Sequence, residues 1–257
     1  MKNICYLFLA LLSYSSVSFA QLKPVKYVDG SQVLNGFTIQ PVKKSAQKPG
    51  ILILPAWMGI DQLSKDTAES LSKLGYYAFV ADIYGEDNYP KDYAQAGKNA
   101  GFYKTNYKDY HKRIALALDQ LIKSGANPDN IVVIGYCFGG TGAIEAARAH
   151  MNLKGVVSFH GGLGKDATRP IEPITSKVLV CHGADDPYES KEEITAFQQE
   201  MRDTKADWQM IYYANAVHSF TNPEAGKDNS KGAAYNEKAA KRSWEHLKLF
   251  LDEVLKK

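Results

Sequence analysis

The stretch IGYCFGG, residues 134–140, sets a cysteine between glycines directly after the apolar run NIVVI. Gly135-Tyr136-Cys137-Phe138-Gly139 has the form G-x-nucleophile-x-G. In such an elbow a strand turns sharply into a helix, and the apex residue takes a strained backbone conformation. The flanking glycines let strand and helix pass close together, and the apex side chain projects above the sheet. The positive end of the following helix favours thiolate, which makes Cys137 a candidate nucleophile and the Phe138 N–H a donor into the same site. The competing reading is a small thiol buried in a tight turn, since free cysteine is among the most buried residue types. The surrounding sequence must separate the two.

Outward from the elbow, short apolar runs alternate with amphipathic segments. Residues 25–42 alternate loosely around Gly30 and Gly36 and predict two short strands joined by a turn. GILILPAW, 50–57, is a continuous apolar run, as in a strand buried on both faces. In 60–76, Leu63, Ala68, Leu71 and Leu74 recur at helical spacing and Gly75 stops the helix. YAFVADIYG at 77–85 reads as the next strand and 110–125 as an amphipathic helix ending at Gly125. Beyond the elbow strand come a small-residue helix at 139–150, strands at 155–161 and 177–183, and a helix at 191–203. A strand at 208–213 and a long closing helix over 235–257 complete the pattern. Strands alternating with crossover helices imply an α/β fold with a mostly parallel, doubly wound sheet flanked by helices. Ligands of such sheets bind beyond the carboxyl ends of the strands.

Those strand ends hold the candidate partners of Cys137. Of the six histidines, His111 and His246 fall within helical patterns and His150 ends one. His160, His182 and His218 lie at or just past strand ends. An elbow fold orders its triad as nucleophile, acid, histidine. Only His218, in ANAVHSF, follows both Cys137 and an acidic loop, so it is the expected base. His160 and His182 are expected to line or support the site. The acid lies in CHGADDP, where Asp186, stiffened by Pro187, is preferred to Asp185. A carboxylate there fixes the imidazole tautomer and stabilises the imidazolium. The loop PAWMG, residues 55–59, occupies the place of the second oxyanion donor, assigned to the Trp57 N–H. Trp57 can equally serve as an aromatic lid. The expected reaction is attack of Cys137 on an ester or lactone carbonyl, a thioester, and its hydrolysis with His218 as base. No metal and no cofactor is expected, because the histidines lack zinc-ligand spacing.

With these residues in place, the chain resembles the dienelactone hydrolase family of α/β-hydrolases. GYCFGG, HGADDP and HSF are similar to that family's Cys, Asp and His segments, and LGYYAFVADIYG to its strand-four region. The likeness runs from about Gly50 to the C-terminus. It implies the triad Cys137, Asp186 and His218, with Trp57 and Phe138 as backbone donors. Two departures stand out. Dienelactone-active members have an acidic residue after the third strand, where this chain has Ala56. They have an arginine shortly after the histidine, where this chain has Thr221 and Asn222. A less acidic ester, lactone or thioester therefore stands beside dienelactone as an expected substrate.

Residues 88–110, rich in Tyr and Lys, are placed over the strand ends, where Lys98 or Lys104 would meet an anionic group. The net charge of +3 is small, and the basic residues are interspersed with Asp and Glu, which argues against a nucleic-acid partner. Residues 1–20 combine Lys2, an apolar run from Ile4 to Leu12, and Ser18-Phe19-Ala20. This is a signal-peptide pattern with cleavage before Gln21. The run is too short to span a membrane, which takes about 20 apolar residues. The expectation is an exported, periplasmic or secreted protein with no stable membrane anchor and one domain over 21–257. Two other function classes are weighed beside the hydrolase: a binding or stress protein that has the fold without turnover, and a thiol redox protein. The latter needs the Cα atoms of Cys137 and Cys181 within about 7 Å.

Overall fold

A computed structural model describes residues 21–256. The first twenty residues, and with them the expected signal peptide, lie outside the described part of the chain. The described strands form one eight-stranded sheet in the order β1-β2-β4-β3-β5-β6-β7-β8. The strands are β1 (Lys23–Asp29), β2 (Gln32–Ile39), β3 (Gly50–Leu54), β4 (Tyr77–Val80), β5 (Ile131–Tyr136), β6 (Gly155–Phe159), β7 (Lys177–Gly183) and β8 (Trp208–Tyr213). The β1–β2 hairpin and the β2–β4 pair are antiparallel, and every pair from β4 through β8 is parallel. This is the α/β-hydrolase fold.

Side chains of a strand point alternately to opposite faces, and here both faces are apolar. Leu52, Leu54, Val133, Val156, Val178 and Val180 enter one core. That core is closed by α2 (Tyr93–Thr105), α3 (Tyr107–Lys123), α4 (Phe138–Arg148) and α5 (Lys191–Asp203). Ile51, Ile53, Val132, Ile134, Val157 and Leu179 enter the other, closed by α1 (Gln62–Lys73) and α6 (Glu237–Val254). The continuous apolar runs in the sequence are therefore strands sandwiched between helices, which exclude water from both sides.

Helix ends follow local polar chemistry. Asp61, Asp92 and Asn236 accept the orphan N–H groups of Ser64, Gln95 and Ala239, and Ser190 with Glu193 forms a capping box. Cys137 occupies the N-cap position of α4 and makes no side-chain cap bond, which leaves its sulfur to other partners.

Two elements differ from the sequence expectation. The strand read over 77–85 stops at Val80. Beyond it Asp82 accepts hydrogen bonds from the Tyr84 and Gly85 N–H groups and from the Tyr89 hydroxyl, which winds the chain into a tight loop. Residues 88–110 contain α2, a helix that the sequence does not announce. Its interior holds Gly97 and Gly101, each unfavourable by about 1 kcal/mol. Only Ala96, Ala100 and Tyr103 are buried, too narrow a stripe to read as a period. Tertiary contact rather than propensity makes this helix.

The elbow is sterically exacting. A Cβ on Gly135 would lie 1.9 Å from the Gly139 carbonyl oxygen, and one on Gly139 would lie 2.0 Å from that of Leu54. Both obstacles are backbone and cannot rotate away. Gly135→Ala or Gly139→Ala is expected to destabilise the protein by about 3 kcal/mol or more. Urea unfolding at equilibrium checks this.

Candidate active site

The turn between β5 and α4 holds Cys137 at φ 53° and ψ −117°, a conformation that a side chain rarely adopts. The helix start and the Cys137 N–H, which donates to Phe159 O at 3.0 Å, fix it there. The sulfur is thereby raised over the carboxyl ends of the parallel strands.

His218 arrives from the loop after β8. Its N–H donates to Gly232 O at 3.1 Å and its carbonyl accepts from the Ala234 N–H at 3.0 Å, so the backbone on both sides is anchored. His218 Nε2 stands 3.0 Å from Cys137 Sγ, and Nδ1 stands 2.9 Å from Asp186 Oδ2. The Asp186 side chain is fully buried, and its other oxygen accepts from the Tyr188 N–H at 3.0 Å. Asp185 is exposed, and the carboxylate bonded to the imidazole is that of Asp186. The three residues singled out by chain order therefore meet in one hydrogen-bonded line.

Their ionisation is coupled. Burial pushes the Cys137 thiol up, but the hydrogen bond and charge of His218 pull it down further. The Phe138 N–H on the sulfur and the Lys104 ammonium add to this, and the net direction is downward. Burial pulls His218 down, yet its bonds to Asp186 and Cys137 carry it up to about 10. Both shifts run in the direction that favours thiolate and imidazolium over the neutral pair.

Around this line the Phe138 ring stacks on Tyr110 and on Tyr84, with centroids 4.6 Å and 5.8 Å away. The Tyr84 hydroxyl donates to Trp57 O at 2.8 Å. Gly59 N–H to Ala56 O closes a turn that presents Trp57. The Trp57 ring stacks on Tyr93 of α2 at 5.6 Å. Tyr84 had no signal in the sequence, because it reaches the site only through the Asp82-centred loop.

His160 and His182 are both buried at strand ends. His160 stands edge-on to His218 at 5.2 Å, and its Nε2 lies 2.7 Å from Thr221 Oγ1. Burial drives its ring well below the usual imidazole range, so it is a neutral support for His218. Asn222 caps the short helix Pro223–Ala225 by accepting from Glu224 N. The two residues that stand where an arginine was looked for are thus engaged within the protein. Lys98 is exposed on α2, whereas Lys104 reaches a cavity near Cys137.

Cys181 is buried in β7, one strand beyond β6. Tyr136 and Cys181 are both in register with Phe159, so they stand about two strand spacings, or about 10 Å, apart. Burial pushes the Cys181 thiol up to about 12. Both cysteines are free, so no disulfide joins them.

The sequence matches the profile of the dienelactone hydrolase family over residues 34–255. A solved dienelactone hydrolase-like promiscuous phosphotriesterase from metagenomic libraries is 35% identical. It superposes with a TM-score of 0.87 over 93% of this chain and 100% of its own. A Bradyrhizobium protein named "Probable 2-oxo-3-(5-oxofuran-2-ylidene)propanoate lactonase" is 27% identical over 214 residues, 79% of this chain and 83% of that one. The dienelactone hydrolase of Anabaena variabilis, at 16% identity and a TM-score of 0.61 over 93% of this chain and all of its own, shares the fold. With its elbow cysteine, its sheet order and this profile match over most of its length, the chain belongs to the dienelactone hydrolase family.

Proposed function

We propose that this protein is a hydrolase of carboxylic esters and lactones that works through Cys137, His218 and Asp186 and a thioester acyl-enzyme. Membership of the dienelactone hydrolase family supports ester or lactone hydrolysis as the reaction class. The observation that carries the finer reading is the line of contacts from Cys137 Sγ to His218 Nε2 at 3.0 Å and from His218 Nδ1 to Asp186 at 2.9 Å, set on a strained elbow. A buried thiol with no task would be neutral, as Cys181 is.

In this reading the Cys137 thiolate attacks the carbonyl carbon and the carbonyl π electrons move onto oxygen. The backbone N–H groups of Phe138 and Trp57 stabilise that oxyanion. Collapse of the tetrahedral adduct expels an alkoxide, which takes its proton from the His218 imidazolium. A thioester on Cys137 remains. Neutral His218 then accepts a proton from water as the hydroxyl attacks the thioester. The second collapse releases the acid and restores the thiolate, with the proton back on His218. Asp186 holds the imidazole tautomer throughout. No step needs a carboxylate at Ala56.

The first test is a panel of p-nitrophenyl esters, γ-lactones and paraoxon, the last because a relative is named a promiscuous phosphotriesterase. Turnover of esters or lactones is the expected result. Absence of turnover on all of them would favour a non-catalytic member of the fold.

The ionisation state is tested by alkylation. The sulfur's pKa is lowered, so thiolate persists below the ordinary thiol range and is lost only as pH falls through the lowered value. At pH 6 an ordinary thiol of pKa about 8.5 is under about 1% ionised. Cys137 is expected to react with iodoacetamide at that pH about tenfold faster than a free cysteine thiol, allowing for the lower nucleophilicity of an acidic thiolate. Cys181 should stay unlabelled. A Cys137 rate that follows the ordinary thiol titration contradicts the ion pair.

Export of the mature chain from Gln21 is the companion proposal, supported by the pattern of residues 1–20. N-terminal sequencing of the protein recovered outside the cytoplasm tests it: a first residue of Gln21 is expected, and an intact Met1 contradicts it.

A further inference from the structure

A cavity of about 800 Å³ lies one residue away from the Cys137–His218 pair, and the reaction above leaves it unused. Its wall includes Tyr188, whose ring stands edge-on to His218 at 5.3 Å. It also includes Thr141, one helical turn beyond Cys137. The end of the cavity at Thr141 and Tyr188 is therefore the part that approaches Cys137 and His218, which do not themselves line it.

Three polar groups converge there on Gly162. A Cβ at that glycine would lie 3.1 Å from Thr141 Oγ1, 3.3 Å from Glu189 Oε1 and 3.4 Å from Lys104 Nζ. The glycine keeps the space between them open. Thr141 is 5% exposed, and its buried hydroxyl has no hydrogen-bond partner among the described residues. A buried hydroxyl without a partner is costly, so in a native fold a ligand or an ordered water satisfies it, and this one faces an open cavity. Glu189 uses Oε2 to accept from the Leu163 N–H at 3.0 Å, which leaves Oε1 for the cavity. Lys104 makes no ion pair among the described residues.

The mixed signs select the ligand. A carboxylate would be drawn to Lys104 but opposed by Glu189 and by Glu193 behind it. A cation would meet the reverse conflict. A neutral hydroxyl both donates and accepts, so it can give a hydrogen bond to Glu189 and take one from Lys104 or Thr141. Farther along the cavity the wall again alternates in sign, with Glu145 and Arg169, then Lys165 and Glu200. Burial pushes the Glu189 carboxyl up to about 7. Glu193 and Asp186 add to that shift, while the Leu163 N–H and Lys104 oppose it. Near neutrality Glu189 can thus accept from or donate to a hydroxyl.

We propose that this cavity is the subsite for an uncharged, hydroxylated part of the ester or lactone substrate, read by Thr141, Glu189 and Lys104. The proposal rests on the hydrolase reading and names its substrate class. The experiment compares D-gulono-1,4-lactone with γ-butyrolactone by pH-stat, and reads the ratio of the two kcat/KM values. Wild type is expected to favour the hydroxylated lactone, and Thr141→Val and Glu189→Gln each to cut that ratio about tenfold, the weight of one hydrogen bond to a charged or buried partner. A ratio that is the same in wild type and variants overturns the subsite. So does preferred cleavage of ethyl hydrogen succinate that is lost in Lys104→Met, which would mark an anion site. A second arm titrates Cys137→Ala protein with D-gluconamide by calorimetry, with the same two substitutions added. Saturable binding weakened about tenfold by either is expected. No binding, with ester turnover intact in wild type, rejects the subsite alone. Binding with no ester cleaved by wild type rejects the hydrolase reading and leaves a polyol site.

Discussion

Cys137→Ala is expected to lower kcat for p-nitrophenyl acetate by about 10⁴-fold or more, while the protein keeps its fold. Loss of a nucleophile removes the covalent route altogether, and comparable substitutions in other hydrolases cost on the order of 10⁶. The fold should survive because, among the described residues, the side-chain hydrogen bond that the sulfur makes is the one to His218. Circular dichroism and urea unfolding separate loss of chemistry from loss of structure. Removing the thiolate also leaves His218 without its strongest anionic partner after Asp186. Its raised pKa should therefore fall in Cys137→Ala, a shift that imidazole NMR reads directly. Wild-type turnover by Cys137→Ala would end the nucleophile assignment. A variant with no shift in His218 would end the ion pair.

Asp186→Asn is the second large effect. Its carboxylate is fully buried and accepts from His218 Nδ1 and from the Tyr188 N–H. An amide of the same shape keeps the packing but removes the charge, and its NH₂ can force the wrong tautomer on the imidazole. The equivalent change in a serine protease lowers kcat about 10⁴-fold. A cysteine enzyme is less dependent on its base during attack, because the thiolate is already formed. The expected loss here is about 10²- to 10³-fold, concentrated in thioester hydrolysis, where neutral His218 must take a proton from water. The sign on pH follows. With Asp186 gone, imidazolium loses stabilisation and its pKa drops, so the sulfur is held as thiolate over a narrower range and the alkylation plateau begins at higher pH. Asp185→Asn, at an exposed position, should change neither quantity. If the two substitutions act alike, the acid has been assigned to the wrong residue.

The sequence made the sheet and the reacting line legible for the same reason. Strands buried on both faces leave continuous apolar runs such as GILIL and IVVIG. The nucleophile, acid and base sit at the ends of those runs in a fixed chain order. Cys137, Asp186 and His218 could thus be chosen without coordinates, and the three meet. What stayed hidden lacks any local mark. Tyr84 reaches Trp57 because Asp82 folds the chain after β4, a contact between positions 27 residues apart. His160 meets the His218 ring edge-on and bonds Thr221, 61 residues on. The helix α2 carries two glycines and a narrow buried stripe, and packing against α3 and α4 decides it. Thr141, Glu189 and Lys104 come from α4, the loop before α5, and α2, and only the folded chain joins them at Gly162. Ala56 stands where an acidic residue was looked for, and the contact that the sulfur does make, 3.0 Å to His218, comes from a loop 81 residues on.

Rapid acid quench within the first turnover of p-nitrophenyl acetate, followed by mass spectrometry, tests the covalent step most directly. An acetyl group on the peptide that contains Cys137, removable by neutral hydroxylamine as a thioester is, is the predicted result. Full turnover with Cys137 unmodified at every quench time, or an acetyl group on another residue, would contradict it.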